Sequence, residues 1–367
     1  MRSRTRRTRP AAVRRGVAAV MAALALCVVL PACAPERPGS AAPRTSEPAS
    51  YPPPENPPES PSEALSAPDT GSGPLRQTPA QKARTAAGLR QVDDLPLYEL
   101  TYHGGYDPEA PLTPEELAKS ADGWACSLFH RPGEFGRNFD WDPNPAMIVH
   151  AAPPGGYASL SLSDVSYVMA AKGPPDLADP QDRRRLAHAV LAPFDGMNEK
   201  GLAVGLAAAP DARLPARTPG RVAVGGVRII RLLLDRAATV PEAVALMRRH
   251  DVDFTGGPQL HYLLADRAGR SAVVEYGDGR LNVIDDRLLT NITMTGTDRA
   301  ARLADRRYRT LAEGGDADAL ELLRRVAQPH TRWSVVYDLD AGTARLVTGQ
   351  RWDRVHTIRL TREAPSG

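Results

Sequence analysis

Cysteine is scarce in this chain, with three residues in 367. That rules out a small disulfide-stapled scaffold and leaves stability to a hydrophobic core, which a chain of this length can build in one or two domains. Acidic residues are missing from the first 32 positions, whereas seven arginines stand within Met1–Arg15. The formal charge of +3 therefore belongs to the N-terminal end: without residues 1–32 the chain carries 39 basic and 43 acidic groups, a net −4. A nucleic-acid-binding function loses its compositional support, and no nucleic-acid partner is expected. The motifs GxSxG and HExxH are both lacking, as is any internal repeat.

The apolar run Gly16–Leu30 is too short for a comfortable membrane span and follows the arginines, the layout of a signal peptide. It ends in Leu30-Pro31-Ala32-Cys33, which resembles a bacterial lipobox. Residues 1–32 are thus expected to be removed and Cys33 to be acylated, anchoring the chain on the outer face of a membrane; ordinary cleavage near Ala32 would instead give a secreted protein. Residues 33–88 read as a tether, being rich in Pro, Ser, Ala and Glu and poor in large apolar groups over most of their length, too little to offset the entropy of ordering. With Cys27 removed and Cys33 acylated, Cys126 is the lone thiol of the folded body, either a small buried hydrophobe or a nucleophile.

From Leu89 onward short β-type runs alternate with turn sequences. The pattern predicts strands over Trp124–Phe129, Ala146–Ala151, Tyr157–Leu162, Leu202–Ala207, Leu260–Ala265, Ser271–Tyr276, Arg280–Ile284, Trp333–Leu339 and Ala344–Val347. Asn198-Glu199-Lys200-Gly201, Asp266-Arg267-Ala268-Gly269 and Gly277-Asp278-Gly279 are turn signals between them, which favours antiparallel sheets over βαβ units. Helices are predicted over Val227–Ala238, Val240–His250, Asp298–Ala312 and Ala317–Ala327, each with an apolar stripe suited to packing on a sheet. The element pattern suggests helices covering a sheet sandwich, an α+β architecture.

Four polar patches hold residue types that perform acyl transfer: Cys126-Ser127-Leu128-Phe129; Gly136-Arg137-Asn138-Phe139-Asp140-Trp141; Asp195-Gly196-Met197-Asn198-Glu199-Lys200-Gly201-Leu202; and Leu289-Thr290-Asn291, followed by Asp305-Arg306-Arg307-Tyr308-Arg309. An opening cysteine, GRNFDW, DGMNEKGL, LTN and WSVVYDLDAGTARL occur in the order found in N-terminal-nucleophile hydrolases of the choloylglycine hydrolase and penicillin acyltransferase type, which the chain resembles from about Val92 to Thr357.

The resemblance implies a four-layer αββα sandwich with antiparallel sheets. It implies a small chain or propeptide over residues 89–125, self-cleavage between Ala125 and Cys126, and a catalytic domain over 126–367. The two chains would remain together as a non-covalent heterodimer. The thiol of Cys126 would attack a linear amide of a small N-acylated molecule and form a thioester, with its own α-amino group carrying the proton. Arg137 would sit beside the thiol and Asp140 would accept hydrogen bonds from the new α-amino group. Asn291 and Asn198 would serve the oxyanion, although turn chemistry alone also accounts for Asn198. Arg306 aligns best as the late arginine, with Arg307 one step away. No cofactor and no metal are implied. His130, and a precursor ending in Trp124-Ala125, depart from the pattern of many relatives.

Two other function classes fit the composition. One is a Cys-His cell-wall peptidase, in which a histidine such as His150 or His261 activates the thiol and the Ala125–Cys126 bond stays intact. The other is a lipid-anchored binding protein with an inert buried thiol. Substrate identity, and hydrolase against acyltransferase, stay open.

Overall fold

A computed structural model describes residues 73–113, 116, 124–142, 144–169 and 174–361. The signal segment, the lipobox with Cys33 and the tether up to Ser72 lie outside the described residues.

Two sheets carry the structure. The larger has nine strands, in spatial order Arg280–Ile284, Ser271–Gly277, Leu260–Asp266, Leu202–Ala208, Asp195–Asn198, Ser159–Asp164, Ala146–Ala151, Leu97–Tyr102 and Arg90–Asp93. All its neighbours are antiparallel except Leu97–Tyr102, which runs parallel to Ala146–Ala151. The smaller has six antiparallel strands, Leu288–Thr290, Ala125–Arg131, Glu134–Asp140, Thr331–Asp338, Thr343–Thr348 and His356–Arg359. The turn sequences set the hairpins. Gly277 pairs with Arg280, leaving Asp278 and Gly279 as a two-residue loop, and both take the positive φ (54° and 71°) that such a tight turn demands.

The sheets pack face to face, with Leu202–Ala208 against Ala125–Arg131. Gly205 permits the approach: a Cβ there would stand 2.6 Å from the Leu128 side chain. Helices Arg228–Arg236 and Val240–Arg249 cover the outer face of the larger sheet, and Arg306–Ala312 and Ala319–Val326 lie over the smaller one. The resulting order is helix, sheet, sheet, helix, the αββα sandwich anticipated from the sequence. Strands with both faces covered are buried throughout, as in Ala146–Ala151. A second apolar cluster joins Tyr98, Leu100 and Tyr102 to Met147 and Val149 beneath Leu186–Leu191.

Three expectations shift. The stretch read as tether up to residue 88 contains the strand Leu75–Arg76 and the helix Pro79–Gly88, which Thr78 and Gln81 start with reciprocal capping bonds and Pro79 opens. The single helix expected over Asp298–Ala312 is two, Arg299–Arg302 and Arg306–Ala312, because Asp305 interrupts it to cap Tyr308 N at 2.8 Å and to accept from Thr290 Oγ1 at 3.1 Å. Glu134–Asp140, not anticipated as a strand, is a central one.

Residues 90–102 are two strands of the larger sheet rather than a loose leader. They are also tied to the far end of the chain, where Asp93 pairs with Arg351 at 2.7 Å, Arg354 at 2.8 Å and His356 at 2.7 Å. Tyr106 donates to Asp235 at 2.9 Å, and Glu116 pairs with Arg228 at 2.7 Å, clamping the outer side of helix Arg228–Arg236.

Candidate active site

Ala125–Arg131 is a strand of the inner, smaller sheet, so its side chains alternate between the interlayer core and the covering helices. Cys126 has no solvent exposure. Burial pushes its thiol up from the ordinary range, against the pull of the Arg137 guanidinium.

Three polar side chains, those of Arg137, Asn291 and Arg307, contact this residue. Cys126 lies opposite Phe139 in the Glu134–Asp140 strand, and Arg137, two residues from Phe139, is its diagonal neighbour on the same face. Arg137 Nη2 stands 3.3 Å from Cys126 Sγ. Asn291, just beyond the strand Leu288–Thr290, accepts from Cys126 N–H through Oδ1 at 2.7 Å and donates through Nδ2 to the Ala208 carbonyl at 2.9 Å. Arg307 donates through Nη1 to the Cys126 carbonyl at 2.6 Å and through Nη2 to Asn291 Oδ1 at 3.0 Å, and lies 3.7 Å from Asp140 Oδ2.

Asp140 is opposite Ala125 in register and fully buried. Its Oδ1 accepts from Thr331 Oγ1, while Oδ2 has no hydrogen-bond partner among the described residues. Burial raises its carboxyl, opposed by the Thr331 hydrogen bond and by Arg307.

Arg137 is itself held by Asp195, a residue the sequence reading gave no role. Asp195 is fully buried, pairs with Arg137 Nη1, and accepts from Trp333 Nε1 at 3.1 Å and from Tyr337 OH. The guanidinium also lies 4.7 Å from the Phe139 ring centre. The signal for Asp195 was available: a buried arginine needs an anion, and Asp195 opens the DGMNEKGL patch.

The structure therefore brings Cys126, Arg137, Asp140 and Asn291 together. It does not bring Asn198 or Arg306 to them by any contact of the described residues. Asn198 Nδ2 donates to the Leu234 and Ala237 carbonyls at 2.9 and 2.7 Å, and its Oδ1 accepts from Lys200 N and Leu202 N, both at 3.1 Å. Its side chain closes the turn and ends helix Arg228–Arg236. Arg306 is exposed at the start of its helix, and Arg307 takes the place expected of it. The helix phase explains the difference: Arg307, Tyr308 and Leu311 share the inward face. His150 and His261 contact Glu99 Oε1 at 3.0 Å and Glu275 Oε2 at 2.9 Å rather than the thiol.

Residues 185–300, less than half of the chain, match the family model described as acyl-coenzyme A:6-aminopenicillanic acid acyl-transferase; this stretch supplies Asp195, Asn198 and Asn291. No curated protein matches. Among solved structures, a mutant of conjugated bile acid hydrolase from Clostridium perfringens is similar at 16% identity and a TM-score of 0.49, covering 65% of this chain and 93% of its own. Another variant of the same hydrolase gives 15%, 0.47, 66% and 93%. Penicillin V acylase from Agrobacterium tumefaciens gives 18%, 0.41, 66% and 79%.

Proposed function

We propose that this protein is a self-processing cysteine hydrolase of the N-terminal-nucleophile type that cleaves a linear amide bond in a small N-acylated molecule. The observation that carries the reading is the convergence of Arg137, Asn291 and Arg307 on a single buried cysteine, with the buried Asp140 opposite the preceding Ala125 in register.

In maturation, Cys126 Sγ attacks the Ala125 carbonyl carbon. The C–N bond breaks as the C–S bond forms, the thiol proton passes to the nitrogen, and water then hydrolyses the thioester. The products are an Ala125 carboxylate and a free Cys126 α-amino group, whose new N–H bonds find Asp140 Oδ2 within the same strand pair. In turnover that amino group takes the thiol proton, Sγ attacks the substrate carbonyl, the protonated amine leaves, and water releases the acid. An amine in place of water would make the same thioester an acyltransferase intermediate. Arg137 favours the developing thiolate. Asn291 Nδ2 keeps one N–H beyond its bond to Ala208 with which to meet an oxyanion. Arg307 fixes the orientation of Asn291 and of the Cys126 carbonyl.

The export signal and Cys33 make the enzyme an outer-face lipoprotein on this reading, or a secreted one if Cys33 is not acylated. The small chain stays on the catalytic chain through the strands at 90–102. The test is intact mass and N-terminal sequencing of purified protein with and without Cys126→Ala. Wild type should give a chain beginning at Cys126, and Cys126→Ala a single uncut chain. An uncut and fully active wild type would leave the Cys-His peptidase in its place.

A further inference from the structure

Trp124, two residues before the nucleophile, is 5% exposed and sits inside a cage of four other aromatic rings. Its ring centre is 4.8 Å from that of Phe194, 5.2 Å from Trp141, 5.9 Å from Phe139 and 6.1 Å from Tyr167, mostly in edge-to-face or tilted contact. Phe139 also lies opposite Cys126, so the cage begins beside the reacting sulfur. Tyr167 continues into a cleft of about 250 Å³ whose lining includes Thr113, Glu116, Arg185 and Ala192. Inside the cage the indole Nε1 is buried without a hydrogen-bond partner among the described residues. The cage thus receives a flat ring and offers it no polar contact.

We propose that this cage is the acyl-group subsite of the mature enzyme, and that Trp124 occupies it in the uncut chain as a stand-in for substrate. This rests on the self-processing reading above. The reason is the shared thioester: in maturation the acyl group on Sγ is the chain ending in Trp124-Ala125, and in turnover it is the substrate's acyl group, hung from the same atom. The covalent path sets a length. About five chain atoms separate the Ala125 carbonyl carbon from the indole ring, namely Ala125 Cα and N and Trp124 C, Cα and Cβ. The matching substrate class is an amide of an ω-arylalkanoic acid with an apolar ring about five atoms from the carbonyl. Once the bond is cut, the new carboxylate at Ala125 is an unfavourable buried charge, and the plug withdraws through the cleft beside Tyr167.

The test uses the cut wild-type protein, its Cys126 N-terminus first verified by mass. Phenylalkanoic acids with one to seven methylenes, and straight alkanoic acids of equal length, are compared as protectors of Cys126 against iodoacetamide. The phenyl acid with five methylenes should protect at a concentration at least tenfold below those of phenylacetate and hexanoate, and Phe194→Leu should erase most of that margin. Equal protection across the series, or a best fit at one methylene, overturns the cage as the acyl subsite while leaving self-processing intact. An uncut wild-type chain overturns both. Should Phe194→Leu fail to fold, Tyr167→Leu, the neighbouring ring 5.3 Å from Phe194 in the same cage, gives the same reading.

Discussion

Asp195 is the residue on which the candidate site stands, and its removal gives a large and calculable effect. It is fully buried and takes hydrogen bonds from Arg137, Trp333 and Tyr337. Asp195→Ala leaves the Arg137 guanidinium buried without its carboxylate, a loss of about 3–5 kcal/mol. It also strands the Trp333 N–H and the Tyr337 O–H, at about 1–3 kcal/mol each. The lower ends of these ranges together come to about 5 kcal/mol, a third or more of the stability of an ordinary domain. The measurement is urea unfolding in a Cys126→Ala background, where the chain stays whole and unfolding is unimolecular. With an m-value of about 3 kcal/mol/M, the midpoint should fall by about 1.5–2 M. Asp195→Asn, which retains the shape and one acceptor, should fall by about half as much. Arg137→Leu combined with Asp195→Ala should be less unstable than the two single changes summed, by about 2 kcal/mol or more. A midpoint shift below about 0.3 M for Asp195→Ala, or strict additivity in the cycle, would refute the idea that Asp195 neutralises and positions Arg137.

Three further expectations follow from neighbouring groups. Asn291→Ala should lower kcat by roughly 100-fold or more and slow self-cleavage, as seen in single-turnover and gel assays of folded protein. Arg307→Ala should cut kcat/KM by about 10–100-fold, the worth of charged hydrogen bonds to buried groups, while Arg306→Ala should stay within about twofold; the reverse ranking would return the role to Arg306. Asp164, whose carboxyl burial pushes up to about 6, makes stability pH-dependent. The folded chain binds more protons than the unfolded one between the ordinary carboxylate value and about 6, so stability should fall by up to about 3 kcal/mol as pH rises through that window. Asp164→Asn should remove that component in urea midpoints compared from pH 4 to pH 7, and identical pH profiles for the two proteins would contradict it.

The strands bounded by explicit turns were legible in the sequence almost residue by residue: Ala146–Ala151 and Arg280–Ile284 match to the residue. There short apolar β-type runs are bounded by turn sequences, so composition and turn signals state the same thing. Glu134–Asp140 was hidden because the site itself breaks the pattern: Arg137, Asn138 and Asp140 are all fully buried, so polar residues stand where a core strand would show apolar ones. Helix Pro79–Gly88 was masked by the Pro- and Ser-rich composition before it, although Thr78-Pro79 and Gln81 spelled its start. The late arginine was misassigned by one position because a basic run has no internal phase until its helix start is known, and Asp305 fixes that start. Scarcity singled out Cys126 as the lone thiol of the folded body but left it open between a buried hydrophobe and a nucleophile.

The bond before Cys126 lies at the start of a strand of the smaller sheet, while residues 90–93 and 97–102, on its N-terminal side, are strands of the larger one. On the proposed reading, a cut there changes what the molecule is able to regain. The precursor finds its fold as one chain, at a rate that does not depend on concentration. The processed particle, once unfolded, would have to recapture from solution the two strands at one end of the larger sheet, as a second-order reaction between fragments neither of which holds that sheet entire. The durability of such a particle would be a matter of how slowly it comes apart, and the ion pairs from Asp93 to Arg351, Arg354 and His356 would act as latches on that escape. On that reading, folding would be a single event in the life of each molecule.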